Sequence, residues 1–387
     1  MLNRYTKALA AIALACLGGS VFADEPAGAI ISTTNNNACL TGDCCAPKGG
    51  FFGSAGILFL KSLGNDNPAF STLSSTFVDA LPVSNNTTVT NFDNGVDVGY
   101  RVEVGYHNGN GWGARLRYFK WESTDSINTV DNFDNSDAVL PGVTGAATRV
   151  DSLRPLGLQF LSFGTATNPT FLNFNNRVRV EIFDLEVTRS GRMGCVDLTA
   201  SVGLRYLQTY QEYNASETLG AIPATPEFDQ FGNDVTTIFQ SQGIRSGHSN
   251  NGLGPILGLE GRTTLWDSLR VYGQGRVGFI FGEGHQQAYQ QTNFDPDRVP
   301  VGFPNPQNAA ADARYAKLVL TTEVEVGLEY AVTLNSGSEV YLRGGLFGMS
   351  IGGVGNSSRS TVGAGTGESA TDNLTLFGLT ANIGFRF

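Results

Sequence analysis

The chain ends on a stretch, Leu374 to Phe387 (LTLFGLTANIGFRF), that alternates with period two. Phe377, Leu379, Ala381, Ile383, Phe385 and Phe387 form an apolar face, whereas Gly378, Thr380, Asn382, Gly384 and Arg386 between them are small or polar. Successive side chains of a strand point to opposite sides, so this is a strand with one oily face. Left unpaired in water, such a strand would template association with other chains. In a transmembrane barrel the same strand closes the sheet against the first one, its oily face toward lipid and its polar face toward a lumen. No segment after residue 23 has the ~20 apolar residues of a membrane helix, so a mature chain that spans a bilayer must do so as a closed barrel.

The first residues read as a secretory signal over 1–23. Arg4 and Lys7 supply the charge, Ala8 to Leu17 the apolar core, and Val21-Phe22-Ala23 a small-x-small cleavage site. Its removal makes the formal net charge of −10 more negative by two, and an acidic chain argues against nucleic acid as a partner. Residues 24–50 read as a polar periplasmic leader that carries Cys39, Cys44 and Cys45, and residues 51–387 as one barrel domain. Export permits disulfides. Vicinal Cys44 and Cys45 are poor partners for each other, so the expectation is that one leader cysteine bonds Cys195, which lies beside a short turn. A zinc site lacks a nearby His or a second CxxC pair.

Alternating segments follow one another from Phe51. Phe51 to Leu63 is the first. Val98, Tyr100, Val102, Val104 and Tyr106 oppose Gly99, Arg101, Glu103 and Gly105, and after HNGNG the residues Trp112, Ala114, Leu116 and Tyr118 oppose Arg115 and Arg117. In Arg177 to Ser190 the apolar parity slips from Val178, Val180, Ile182 to Phe183, Leu185, Val187, for which a β-bulge is the economical explanation. Val196 to Tyr206, Leu253 to Leu265, Leu269 to Phe281, Leu318 to Leu334 and Val340 to Met349 complete the set before the closing strand.

The connections sort by length. His107 to Gly111, Ser190 to Gly194, Trp266 to Ser268 and Asn335 to Ser338 are tight, whereas 64–97, 123–176, 212–252, 283–314 and 352–371 are long and polar. Strict alternation of short and long is what an up-and-down outer-membrane barrel requires, with turns in the periplasm and loops outside. The count is about ten antiparallel strands, and a further pair around Val150 to Phe163 would make it about twelve. Trp112, Trp121, Tyr206, Trp266, Tyr272, Tyr315 and Tyr330 lie near predicted strand ends, where amphipathic rings favour the membrane interface.

Catalytic and cofactor motifs are weak. Gly273, Gly275 and Gly278 meet the dinucleotide-binding glycine spacing, but inside an alternating strand with no helix after it. His107, His248 and His285 share no metal-ligand spacing, and no serine is marked as a nucleophile. Asp93-Asn94-Gly95-x-Asp97 and NFDN at 132–135 bring oxygen ligands together but lack a bidentate Glu, so solvated loops are the better reading. The chain therefore reads as neither an enzyme nor a cofactor carrier.

The charges on the polar parity say more. Arg101, Glu103, Arg115, Arg117, Arg205, Glu260 and Arg262 belong to this set. So do Arg270, Arg276, Glu323, Glu325, Glu329, Arg343 and Arg386. An Arg or Lys facing lipid at midplane costs ~2 to 4 kcal/mol, so these side chains must point inward. There they either pair and plug a narrow barrel or line a solute path.

The runs DLTASVGLRY (197–206), GLGPILGLEGRTTL (252–265) and LRVYGQGRVGFIFGE (269–283), preceded by IFDLEVTRS (182–190), resemble the Legionella major outer membrane protein family of pore-forming barrels. Glu260 departs from that pattern, where the family's GLD run has Asp. The resemblance implies a monomeric or homo-oligomeric porin-like protein of a Gram-negative outer membrane. It transfers no catalytic residue. Phe387 also looks like the terminal aromatic by which barrel-assembly machinery recognises its clients. Two functions are then in view: passive diffusion of small hydrophilic solutes or ions through a charged lumen, and a structural or adhesive surface barrel with a closed lumen that acts through its long loops.

Overall fold

A computed structural model describes residues 49–63, 68–78, 81–93, 95–131, 144–152, 170–219, 239–266, 268–294, 307–334, 337–354 and 373–387. The signal and leader, with Cys39, Cys44 and Cys45, lie outside these, as do NFDN and most of Val150 to Phe163. Cys195 is exposed, and the leader cysteines expected to bond it lie outside the described residues.

Among the described residues, ten strands close into one antiparallel barrel. In chain order the barrel strands are β1 (Gly50–Leu63), β4 (Val96–His107), β5 (Trp112–Asp131), β7 (Thr170–Met193), β8 (Val196–Leu219), β9 (Phe239–Trp266), β10 (Leu269–Phe294), β11 (Gln307–Thr333), β12 (Glu339–Ile351) and β13 (Leu374–Arg386). The closing strand β13 pairs with β1 from Phe52↔Arg386 to Leu63↔Thr375, and the main-chain N–H of Phe387 donates to Phe51 O at 2.9 Å. Three further strands, β2 (Pro68–Val78), β3 (Leu81–Asn91) and β6 (Thr144–Ser152), form a separate sheet in the order β3-β2-β6. This sheet occupies two segments expected to be loops, and its strand β6 adds nothing to the barrel. The strand count of the barrel is therefore ten, not twelve.

Tight turns gather at one end. Gly111 and Gly194 supply the φ of 80° and 60° that those turns need. At the other end β7 to β11 run well past the expected strand limits, so much of the predicted loops is paired sheet. The lipid-facing belt is legible on each strand, as in Leu253, Leu257 and Leu259 on β9 or Leu318, Leu320, Val324, Val326 and Leu328 on β11, all exposed. Trp112, Trp266, Tyr206 and Tyr330 are exposed beside this belt, as expected of interfacial rings. Trp121 and Tyr272 are instead buried inside the barrel, because their strand parity points them inward.

The slip of parity in β7 is not a bulge. Pairing with β5 runs without a break from Trp112↔Arg189 to Asp131↔Thr170, and pairing with β8 is equally continuous. What changes is the surroundings. Phe183, Leu185 and Val187 face lipid, while beyond the belt the same outer face carries Arg177, Arg179 and Glu181, and the inner face becomes Val178, Val180 and Ile182, all buried. Once a strand leaves the bilayer its outside meets water and its inside can be dry, so the apolar residues change sides with the register intact.

Replacement of Val326, in the middle of the lipid-facing belt, by Arg is expected to destabilise the folded barrel by about 2 to 4 kcal/mol. Urea titration of folding into lipid vesicles measures this, and a change below about 1 kcal/mol would contradict the assignment of that face to lipid.

Candidate functional site: the barrel interior

Every charged side chain singled out from the sequence lies on the interior parity of its strand. The register brings these side chains together at two heights. At mid-belt, Arg117 on β5 reaches Glu323 on β11 with Nη1 at 2.8 Å and a second contact from Nη2. These two strands lie five places apart in a ring of ten, so this pair spans the full width of the lumen. Arg205 holds Asp184 with Nε at 2.7 Å and Nη2 at 2.8 Å. Arg276 lies 3.3 Å from Glu186 and 3.4 Å from Glu323. Arg101 is bidentate to Glu325 and also donates to Asn382 Oδ1 at 3.2 Å. Arg115 contacts Glu186, with Glu260 at 3.4 Å and Glu103 at 3.7 Å.

This level is dry. Arg117, Arg205, Asp184, Glu323 and Glu325 are each at most 1% exposed. An unpaired ion so placed costs several kcal/mol, which explains why Asp184, Glu186, Glu323 and Glu325 each collect two or more donors. Glu325, for instance, also accepts from Tyr272 Oη at 2.7 Å and Gln274 Nε2 at 2.6 Å.

Toward the turns the network loosens. Arg270 bridges Glu329 at 3.0 Å and Glu339 at 2.6 Å, Arg386 reaches both, and Arg343 joins Glu329 at 2.6 Å to Glu260 at 3.0 Å. The guanidinium of Arg386 also lies 4.0 Å from the Tyr341 ring centroid. Arg262 is half-buried and faces Asp197 at 3.5 Å. The arginines of this rim are partly exposed, whereas Glu329 at its centre is fully buried.

Beyond that layer, at the outer edge of the lipid belt, the interior turns apolar. Leu58, Leu60, Phe119, Trp121, Val180, Ile182, Phe347 and Met349 belong to one buried cluster that draws on strands all round the barrel. Further out, Phe70 of the separate sheet stacks on Phe174 at 4.9 Å, in a second cluster with Leu172, Tyr213 and Ile244. A polar belt separates the two, with Asn176, Thr209, His248, Asn250, Gln286 and Lys317 on interior positions.

Asp184 and Glu186 are absent from the set expected from sequence. They alternate with lipid-facing Phe183, Leu185 and Val187, and so point inward with or without a bulge at Ile182. That alternation is the signal that would have found them. Among the described residues no group of His, Cys, Asp and Glu is arranged to hold a metal ion, and Asp93 instead faces Lys61 at 3.5 Å.

A family model described as Legionella pneumophila major outer membrane protein precursor matches residues 47–387. No curated protein sequence matches the chain. Among solved structures the chain is similar to the outer membrane protease OmpT from Escherichia coli, with 11% identity, 87% of this chain and 96% of that one covered, and a TM-score of 0.35. It is also similar to a major outer membrane protein from Thermus thermophilus, with 13% identity, coverage of 88% and 99%, and a TM-score of 0.30. A third is the monoaromatic hydrocarbon channel TodX in a deletion mutant, with 11% identity, coverage of 88% and 91%, and a TM-score of 0.24.

If the paired layer closes the lumen without solvent, Asp184→Ala leaves Arg205 buried with Glu323 as its remaining carboxylate. The expected cost is about 3 to 5 kcal/mol in urea unfolding, and the double replacement Asp184→Leu with Arg205→Met should recover most of it. A loss below about 1 kcal/mol from Asp184→Ala would mean that water screens the site.

Proposed function

The chain belongs to the Legionella pneumophila major outer membrane protein family, and from that premise we propose that it is a structural barrel of the outer membrane with a closed lumen, acting at the cell surface through the sheet and loops beyond the outer leaflet. One observation carries this reading. Arg117 and Glu323, each 1% exposed, meet across the full width of the lumen, and an apolar cluster lies directly beyond them. A hydrophilic solute would have to break buried ion pairs and then cross a dry layer. In this reading the long extensions of β7 to β11 and the β3-β2-β6 sheet stand outside the bilayer. Outer-membrane lipid is the partner of the belt, and barrel-assembly machinery is the proposed reader of the exposed Phe387 ring.

A second reading, passive diffusion of small hydrophilic solutes, is favoured by the partly exposed arginines at the periplasmic end, where Arg270, Arg343 and Arg386 meet Glu260, Glu329 and Glu339 and Arg262 faces Asp197. A vestibule of this kind suits a pore whose outer layers can part.

Planar-bilayer recording separates the two, with protein whose faster gel migration before boiling shows it to be folded. The closed barrel gives no steady ohmic step at modest voltage. A stable, reproducible conductance from the wild-type chain would overturn the closed-lumen reading in favour of diffusion.

A further inference from the structure

The polar belt between the two apolar clusters contains buried atoms that no group among the described residues satisfies. Two of the residues that carry them border one small cavity. Lys317 on β11 and Asn250 on β9 border it together with Leu207, Gly252, Ile280 and Val319. Among the described residues neither Lys317 Nζ nor Asn250 Oδ1 has a hydrogen-bond partner. The volume, about 10 Å³, suits a single water-sized guest.

The orientation of Asn250 is determined by its neighbours. Its Nδ2 donates to the Val354 carbonyl at 2.9 Å and to Thr209 Oγ1 at 3.0 Å. A carbonyl only accepts, so a reversed amide would set two oxygens against each other. Asn250 Oδ1 must therefore keep its acceptor without a protein donor, and the residue is only 4% exposed. Lys317 is constrained in a different way. Its ammonium lies 5.3 Å from the centroid of the Tyr315 ring, whose hydroxyl is engaged with His248 Nε2. No carboxylate pairs with Lys317 among the described residues.

A guest at this point has to accept from Lys317 and donate to Asn250. An anion meets the first demand and is repelled by the amide oxygen; a metal cation meets the second and is repelled by the ammonium. A hydroxylic guest meets both. We propose that this cavity is a binding site for one tightly held water, which bridges Lys317 Nζ and Asn250 Oδ1. Nearby interior positions show the same mixture. Among the described residues Asn176 Oδ1 and Gln286 Oε1 are unpartnered acceptors and Trp121 Nε1 an unpartnered donor, so the site belongs to a hydrated belt enclosed by two apolar layers. Through Asn250 it also supports Val354, where the chain leaves β12 for the outer side. The site does not depend on whether the lumen conducts.

The test is a high-resolution crystal structure of the mature chain, of Lys317→Met, and of a wild-type crystal soaked in bromide. The expected result is a wild-type density peak about 2.7 to 3.2 Å from both atoms, its loss in Lys317→Met, and no anomalous signal after the soak. Bromide anomalous density at the site would make it an anion site and overturn the proposal. So would a direct Lys317–Asn250 hydrogen bond across a collapsed cavity. If Lys317→Met does not fold, the wild-type map and its bromide soak decide alone.

Discussion

A barrel wall has two faces, and at each height the solvent outside decides which of them can be dry. Within the bilayer the outer face must be apolar, and polar residues have nowhere to go but inward. Above the bilayer the outer face meets water and the requirement is reversed. Strand β7 shows both regimes in one unbroken register, with Phe183, Leu185 and Val187 outward in the belt and Val178, Val180 and Ile182 inward beyond it. The interior consequently passes from ion pairs to an apolar cluster at the outer edge of the belt, because the sequence pattern changes with the surroundings.

This constraint also explains why the ion pairs are so fully made. Eight strands give an interior that side chains just fill, and ten leave somewhat more room. Here long side chains take up that room: Arg117, Arg205 and Tyr272 at mid-belt, and Phe119 and Trp121 beyond them, are all fully buried. A wet lumen would leave such charges screened and indifferent to one another. In a dry one, each carboxylate must be surrounded by donors to offset its desolvation. The arrangement of Asp184 between Arg117 and Arg205, and of Glu323 among Arg117, Arg205 and Arg276, has the form expected of the dry case.

Much of this was legible in the sequence, and the exceptions have physical causes. Period-two alternation identified the ten barrel strands and the inward placement of every charge singled out on them, since lipid tolerates few exceptions on the outer face. Outside the bilayer that discipline lapses. The outer parts of β8 to β11 read as polar loops because both of their faces carry Gln, Asn, Ser and Gly, and β2, β3 and β6 are too rich in Ser, Thr and Asn to show an oily face. Asp184 and Glu186 alternate with Phe183, Leu185 and Val187, so their inward placement was legible whether or not the strand carried a bulge. The pairing partners were beyond reach for another reason: period two says that Arg117 and Glu323 both point inward, but only barrel closure sets their strands opposite each other.

Cysteine accessibility tests the closed lumen most directly. In a chain freed of its native cysteines, Thr321→Cys places a thiol in the paired layer and Glu339→Cys places one at the periplasmic rim. With a small charged thiol reagent added to both sides, the closed barrel predicts that Thr321→Cys reacts at least about a hundredfold more slowly, since reaction there must await local opening. Equal rates at the two positions would contradict a closed lumen and mean that water and solutes pass the Arg117–Glu323 layer freely.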